Sequence, residues 1–372
     1  VLLTVRVPPQ ERGATVLAQP EELRRARLYL ETAPFEGLSR EQAHRIVERG
    51  RELYHWYKNH HRLHCLINAA VLTLLLTADF YVLLRLPYFW LGGEGAEPLV
   101  RQLLVALIVG SLHAWIMYSL GVLSLHEGAA HHGVFPPKGP ISRIGDVIAN
   151  NICRIGSADP VYYGTRHMIH HSKFGTEQDE EFLNFITPRR YWLTFVPLAM
   201  ALNFSDFISH RPLTYTSSRV LSLLCTCAYQ GTYAYFMYRA WGIWVTVVVM
   251  LVFMHVAFYL DRIRQFTEHN LMPLDNWNGS RSLGIGFWGT LLGGGPWGNP
   301  YHWEHHIVPS IPWYQLLILH RFSVRLLTPQ QRKQFFLQPV VGFPRLWWRL
   351  IRDSNAVIAA SSRPTATHQT LS

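Results

Sequence analysis

CLINAAVLTLLLTADFYVLLRL, Cys65–Leu86, decides the class of this chain. It is long enough to cross a hydrocarbon core, which needs ~20 apolar residues. Leu103–Leu125 (LLVALIVGSLHAWIMYSLGVLSL), Val220–Tyr238 and Ile243–Leu260 have the same character, and a tight turn at Arg239–Gly242 is expected to join the last two. A fifth stretch, Tyr191–His210, is interrupted by Pro197, Asn203 and Asp206. The 372 residues would suffice for two or three soluble domains, but these runs predict one all-α, polytopic body with four transmembrane helices. A mean hydropathy of only +0.06 places much of the chain outside the bilayer. The expected division is an N-terminal interfacial segment 1–64, a four-span body 65–325 and a C-terminal segment 326–372 with a disordered tail.

Against this apolar background stand three histidine clusters: His126 and His131 in HEGAAHH, His167, His170 and His171 in HMIHH, and His302, His305 and His306 in HWEHH. On a helix, offsets of three and four residues place side chains on one face, so each HxxHH presents three imidazoles to one region. A lone histidine near a membrane is usually a satisfied polar residue, but two repeats of HxxHH reverse that expectation. His269, in RQFTEHN after the last span, is at a similar depth and makes a ninth candidate. His126 and His131 are five residues apart, ~140° around a regular helix. Either the helix loosens at Gly128 or the two serve different ions, and His132 is an alternative to His131.

All-imidazole shells suit iron, zinc and copper, and the lack of thiolates disfavours structural zinc. Eight or nine nitrogens are too many for one tetrahedral ion, so two ions sharing the site are expected. Iron is the candidate that best performs oxygen chemistry at C–H bonds. Glu127, Asp179, Glu268 and Glu304 adjoin these histidines and are candidates to hold the rings by their distal N–H groups, with solvation as the plainer alternative. His60, His61 and His64 (HHRLH) precede the first span beside Lys58 and Arg62 and are expected to be solvated or lipid-facing. His113 lies thirteen residues before His126, ~20 Å deeper at 1.5 Å per residue. His255 stands likewise to His269. Both are too remote for the same ions, and a tunnel-lining or helix-bonding role is expected.

If the clusters act together they lie on one side of the membrane, so an even number of crossings separates HMIHH from HWEHH. Val220–Tyr238 and Ile243–Leu260 supply two, which demotes Tyr191–His210 to an interfacial or re-entrant segment. Many basic residues precede the first span, among them Arg45, Arg49, Arg51, Lys58 and Arg62, while the loop after it carries Glu94 and Glu97 and no base. By the positive-inside rule, the histidine clusters and both termini face the cytoplasm. A formal charge of +10 and a pI near 9.6 suit anionic headgroups and an acidic electron carrier. Nucleic acid is disfavoured, because the basic residues flank the spans and form no stripe interleaved with aromatics.

The remaining signals are local. VLLTVRVPPQERG is too short and too broken by Arg6 and Pro8 for a cleavable signal. The scattered Cys65, Cys153, Cys225 and Cys227 encode neither a disulfide framework nor an iron–sulfur centre. Ser39 to Arg62 reads as a surface helix with a Ser39/Gln42 capping box and an apolar stripe through Ile46, Leu53, Tyr54 and Tyr57. Gly133 to Pro160 reads as a cytoplasmic loop followed by a short helix, and the first twenty residues and the end from Ser361 as disordered. Gly293–Pro296 lacks the order of a phosphate loop and is expected to let backbone pack beneath the histidines.

With these residues assembled, the chain resembles the integral-membrane fatty acid desaturase superfamily of desaturases, hydroxylases and ketolases. Its pattern is HxxxH or HxxxxH, then HxxHH, then HxxHH or QxxHH, with two spans between the last two. His126/His131, His167/His170/His171 and His302/His305/His306 match these boxes, and His269 matches an additional histidine found after the last span. The stretch GNPYHWEHHIVPSIPWYQL is also family-like, and the resemblance runs from about the first span to about Leu319. It implies a cytoplasmic helical cap holding a di-iron centre, with dioxygen as co-substrate and a fatty acyl or lipid chain as substrate. No HPGG-type cytochrome b5 segment is present, so electrons are expected from a separate ferredoxin, rubredoxin or cytochrome b5 with its reductase. Desaturation is the leading expectation, with hydroxylation, ketolation or oxidative decarboxylation to a terminal alkene as alternatives. ADPVYYGTRHMIHHSKFGTEQDEEF ties the chain to no single activity. The rival from another class is a non-enzymatic membrane protein binding haem or metal ions, which paired histidines within spans or midplane ligands would have favoured.

Overall fold

The computed structural model describes residues 35–91, 98–131, 147, 150–151, 160–176, 179, 217–297, 299–336 and 342–361. Tyr191–His210, His132, most of the Gly133–Pro160 loop, the first twenty residues and the tail beyond Ser361 lie outside the described residues. Among the described residues there is no strand, only an isolated bridge between Ser282 and Phe336. The helices are α1 (Arg40–Asn59), α2 (His61–Leu84), α3 (Leu86–Leu91), α4 (Leu99–Gly121), a π-helix (Val122–His131), α5 (Pro160–Lys173) and α6 (Ser217–His269). They continue with α7 (Phe287–Leu292), a 3-10 turn (Asn299–Tyr301), α8 (His302–Ile307), α9 (Trp313–Leu326), α10 (Pro329–Phe335) and α11 (Gly342–Ser361).

Three helical stretches are long and apolar enough to cross a membrane: His61–Tyr88, Leu99–Gly128 and Cys227–His269. The first two correspond to the expected spans. The third unites the other two and differs from expectation at their junction. Arg239, Ala240 and Trp241 are helical, and the only non-helical residue inside α6 is Gly242, at φ 78° and ψ 177°. Without a Cβ, glycine adopts that backbone freely, so one residue does the work of the expected four-residue turn. Tyr233 and Phe253 would be ~30 Å apart on a straight helix at 1.5 Å per residue. Their rings instead lie 6.1 and 4.7 Å from the same ring, that of His113. The chain therefore folds back at Gly242.

These apolar helices share one core, with Leu72, Leu75, Val109, Leu120, Met237 and Val249 in a single buried cluster. In lipid, apolar burial does not itself drive helices together, so packing and interhelical polar bonds take over. His113 and Asp79 supply such a bond. Both are fully buried, and the His113 Nδ1–H donates to Asp79 Oδ1 at 2.6 Å, linking α4 to α2. The Tyr229 hydroxyl donates to Asp79 Oδ2 at 3.2 Å and brings in α6. His113 thus bonds between helices, one of its two expected roles. His255 bonds its own helix, through the Leu251 carbonyl at 2.7 Å.

A second cluster lies outside the spans and joins the beginning of the described chain to its later part. Ile46 and Leu53 of α1 pack with Met272, Trp303, Val308, Leu316, Leu327 and Phe335. α1 begins at the expected capping box, with the Ser39 side chain accepting from Gln42 N and the Gln42 side chain accepting from Ser39 N. Its apolar stripe faces protein, so α1 is a wall of this cap. This changes the reading of HHRLH. His60 is exposed and stacks on Trp56 at 4.2 Å, but His64 is fully buried, with its Nε2 2.9 Å from Asn68 Nδ2 and its Nδ1 3.4 Å from the Tyr314 hydroxyl. Trp313 Nε1 also donates to Asn68 Oδ1 at 3.0 Å. The start of α9 closes over that face of α2 and shields His64.

Replacing His113 with leucine leaves the Asp79 charge buried without its partner, a loss of about 3–5 kcal/mol for a broken buried pair. The double variant Asp79→Leu/His113→Leu is expected to recover most of it, and thermal unfolding in detergent across the double-mutant cycle reads the coupling.

Candidate metal centre

The histidine clusters converge where the apolar helices meet the cap. His126 and His131 lie on the π-helix Val122–His131, whose i→i+5 hydrogen bonds bring residues five apart onto one face. Their rings are 5.0 Å apart, so the loosening at HEGAAH is real and both rings join one group. The π-helix is held at its start by the glycine run after α7. Gly294 sits at φ 67°, and a Cβ there would press on Tyr118 and Val122 at 3.2 Å. The Tyr118 hydroxyl donates to the Leu292 carbonyl at 2.8 Å. The expected close packing near the histidines is present.

The nine predicted histidines divide in a way that spacing alone does not show. His126, His131, His167 and His305 form one group, and His170, His269, His302 and His306 a second, with the ligand atoms of each within 4.8 Å of one another. Each HxxHH is therefore shared between the groups. His171 stands between them, its Nε2 3.1 Å from His167 Nε2 and 2.9 Å from His305 Nε2. All nine are buried except His131, which is partly exposed.

The donor set fits a metal. Two imidazoles bound at ~2.1 Å and at right angles have nitrogens about 3.0 Å apart, and a trans pair about 4.2 Å. His302 Nε2 is 2.8 Å from His269 Nε2 and 3.0 Å from His306 Nε2. The outer nitrogens are held as ligating histidines usually are. His170 Nδ1–H donates to both Asp179 oxygens at 3.0 Å, and His269 Nδ1–H to the Gly279 carbonyl at 3.1 Å. Each bond puts the ring proton on Nδ1, so that Nε2 carries the lone pair.

The other carboxylates also tie elements together. Among the described residues Glu304 holds no box histidine. It accepts from Ser282 Oγ and from His320 Nδ1, the latter at 2.5 Å, and so pins α8 to the loop after α6 and to α9. Glu127 Oε1 accepts from Trp313 N at 3.3 Å, tying the π-helix to α9. Glu268 Oε2 lies 3.6 Å from His302 Nε2, on the inner side of that ring, and is bonded to Arg264 at 2.7 Å. Buried Arg281 donates to the carbonyls of Thr267 and Asn270 at 3.1 and 2.7 Å, capping the end of α6 that carries His269. Sequence reading passed over Arg264, Arg281 and His320. The i, i+4 pair Arg264/Glu268 was a legible signal, whereas His320 and Arg281 had none.

Burial holds His171, His302 and His306 well below the ordinary histidine value, and neighbouring histidines add to the effect. Neutral imidazole is the form that binds metal. A histidine whose folded value is depressed takes up its proton more readily in the unfolded chain, so stability is present above about pH 6.5 and falls as pH drops toward the folded values. The metal-free protein is therefore expected to lose thermal stability on acidification below about pH 6.5, as a melting series across that range would show. In addition, Asp179→Asn, which weakens the hold on the His170 ring, is expected to lower metal affinity about 10–100-fold, read by competition with a chelator.

No curated protein matches the chain. The family model for fatty acid desaturase matches residues 101–338. The match starts after the first apolar helix, runs past Leu319 and takes in all nine histidines with the carboxylates around them. It spans well over half of the 372 residues, and the chain belongs to the fatty acid desaturase family.

Proposed function

We propose that this protein is a membrane-bound, dioxygen-dependent di-iron oxidase acting on C–H bonds of a fatty acyl or lipid chain, and specifically a desaturase. The observation that carries the proposal is the pair of buried histidine quartets in a chain of this family. His126, His131, His167 and His305 would hold one iron, His170, His269, His302 and His306 the other, with His171 between. Iron bound there supplies the reductive activation of dioxygen that removes hydrogen from an unactivated carbon.

The protein's own contribution is to keep the nitrogens neutral, aimed and dry. Asp179 and the Gly279 carbonyl fix two rings in the tautomer that carries its lone pair on Nε2. Glu127, Asp179, Glu268 and Glu304 are all buried around the quartets. Burial of the histidines keeps bulk water from the reacting carbon.

Four crossings follow if the two arms of α6 on either side of Gly242 each span the bilayer. Both quartets then lie on one face, with the HxxHH of α5 and that of α8 separated by two crossings. The basic segment before the first span and the acidic loop after it support a reading in which that face and both termini are cytoplasmic. The acyl chain would enter between the apolar helices, and a separate carrier would bring electrons.

Purified protein is expected to hold about two irons per chain and to lose both when His170 or His305 becomes alanine. Given a ferredoxin, its reductase and fatty acids or acyl thioesters, it is expected to yield a product two hydrogens lighter by mass spectrometry. A hydroxylated product, or a hydrocarbon one carbon shorter, would refute desaturation in favour of another oxidase outcome, and a haem spectrum would refute the oxidase altogether.

A further inference from the structure

On the outer side of the cap, α1 and α9 enclose a groove of about 470 Å³. Arg45 and Arg49 line it from α1, and Arg321 and Arg325 from α9, with Ile318 and Phe322 between. Glu48 and Glu52 also line the groove, Glu52 paired with Arg49 at 2.5 Å and Glu48 3.1 Å from His44 Nε2, so its four arginines outnumber its acids by two. Arg45, Arg321 and Arg325 are exposed, and among the described residues no carboxylate pairs with them. Ile318 is 43% exposed beside Phe322, an apolar centre in a groove with more arginines than acids, a composition met in protein interfaces that anchor on an apolar centre and arginine.

The groove backs onto the metal centre. His320 precedes Arg321 and lies about 160° around α9 from Ile318 at 3.6 residues per turn. On that inner side its Nδ1 is 2.5 Å from Glu304 Oε1, and Glu304 stands between His302 and His305 in the chain. A partner seated in the groove is thus separated from Glu304 by about one helix diameter, ~10–12 Å.

We propose that this arginine groove is the docking surface of a small acidic one-electron carrier protein. The proposal rests on the oxidase reading above. Forming a C=C bond releases two hydrogens, and reducing one dioxygen to two waters consumes four electrons and four protons. Two electrons and two protons must therefore come from outside the chain and substrate, and a one-electron carrier docks twice per turnover. Opposite charge steers such an encounter and fixes its orientation.

The test uses the full-length protein in detergent and measures Kd for an acidic plant-type ferredoxin and for cytochrome b5, at low and high salt. R321E/R325E and R345E/R349E change the net charge equally, but the second pair, on α11, does not line the groove. The expected result is at least a tenfold rise in Kd for R321E/R325E with loss of the salt dependence, and less than a twofold change for R345E/R349E. R45E, which reaches the groove from α1, is expected to weaken binding in the same way should R321E/R325E not fold. Equal weakening by both pairs would mean that net charge alone attracts the carrier, and would overturn the proposal. So would an unchanged Kd in the groove variants, or binding of neither carrier by the wild type. Failure of the oxidase reading looks different: carrier binding would depend on the groove while dithionite-reduced wild type produced no oxidised lipid.

Discussion

Nine imidazoles, nearly all buried, converge in two quartets whose ligand atoms lie within 4.8 Å of one another, with His171 between them, and the rest of the structure follows from that constraint. Neutral ring nitrogens at such distances have lone pairs facing lone pairs unless a proton or a cation lies between them. Burial disfavours a second proton on the ring, holding His171, His302 and His306 in the neutral form that binds metal. A metal ion is a partner that can satisfy several neutral nitrogens at once. The outer bonds to Asp179 and Gly279 then read as supports of a ligand set.

The fold presents this set from the ends of its elements. His126 and His131 extend the second apolar helix, His269 ends α6, and α5 and α8 each carry an HxxHH across the gap. No single element holds an ion, since each HxxHH is divided between the quartets. The site therefore requires the spans and the cap to be docked together. The Asp79–His113 bond fixes the helices, the α1 cluster fixes the cap, and Glu127 and Glu304 tie α9 to both the π-helix and α8. Metal binding and assembly of the bundle are one equilibrium in such an arrangement.

Much of this was legible in the residues. The spans follow from composition, and the HxxHH offsets put three rings on one face whatever surrounds them. The first box was harder. HEGAAH at five-residue spacing left open a loosened helix or two separate ions, and only the π-helix brings both rings into one quartet. The division of the quartets depends on which helices meet, a tertiary fact with no local signature. His64 went astray for a similar reason: beside Lys58 and Arg62 it reads as solvated, but α9 covers it from 250 residues away. Gly242 illustrates the converse. The reversal was expected, yet one glycine at positive φ replaced the expected turn, because such a backbone needs no further residues to change direction.

The central claim is that two ions sit in two histidine quartets, and anomalous diffraction at the iron edge tests it most directly. The account predicts two peaks, one among His126, His131, His167 and His305 and one among His170, His269, His302 and His306. A single peak, or iron bound anywhere else in the chain, would contradict it.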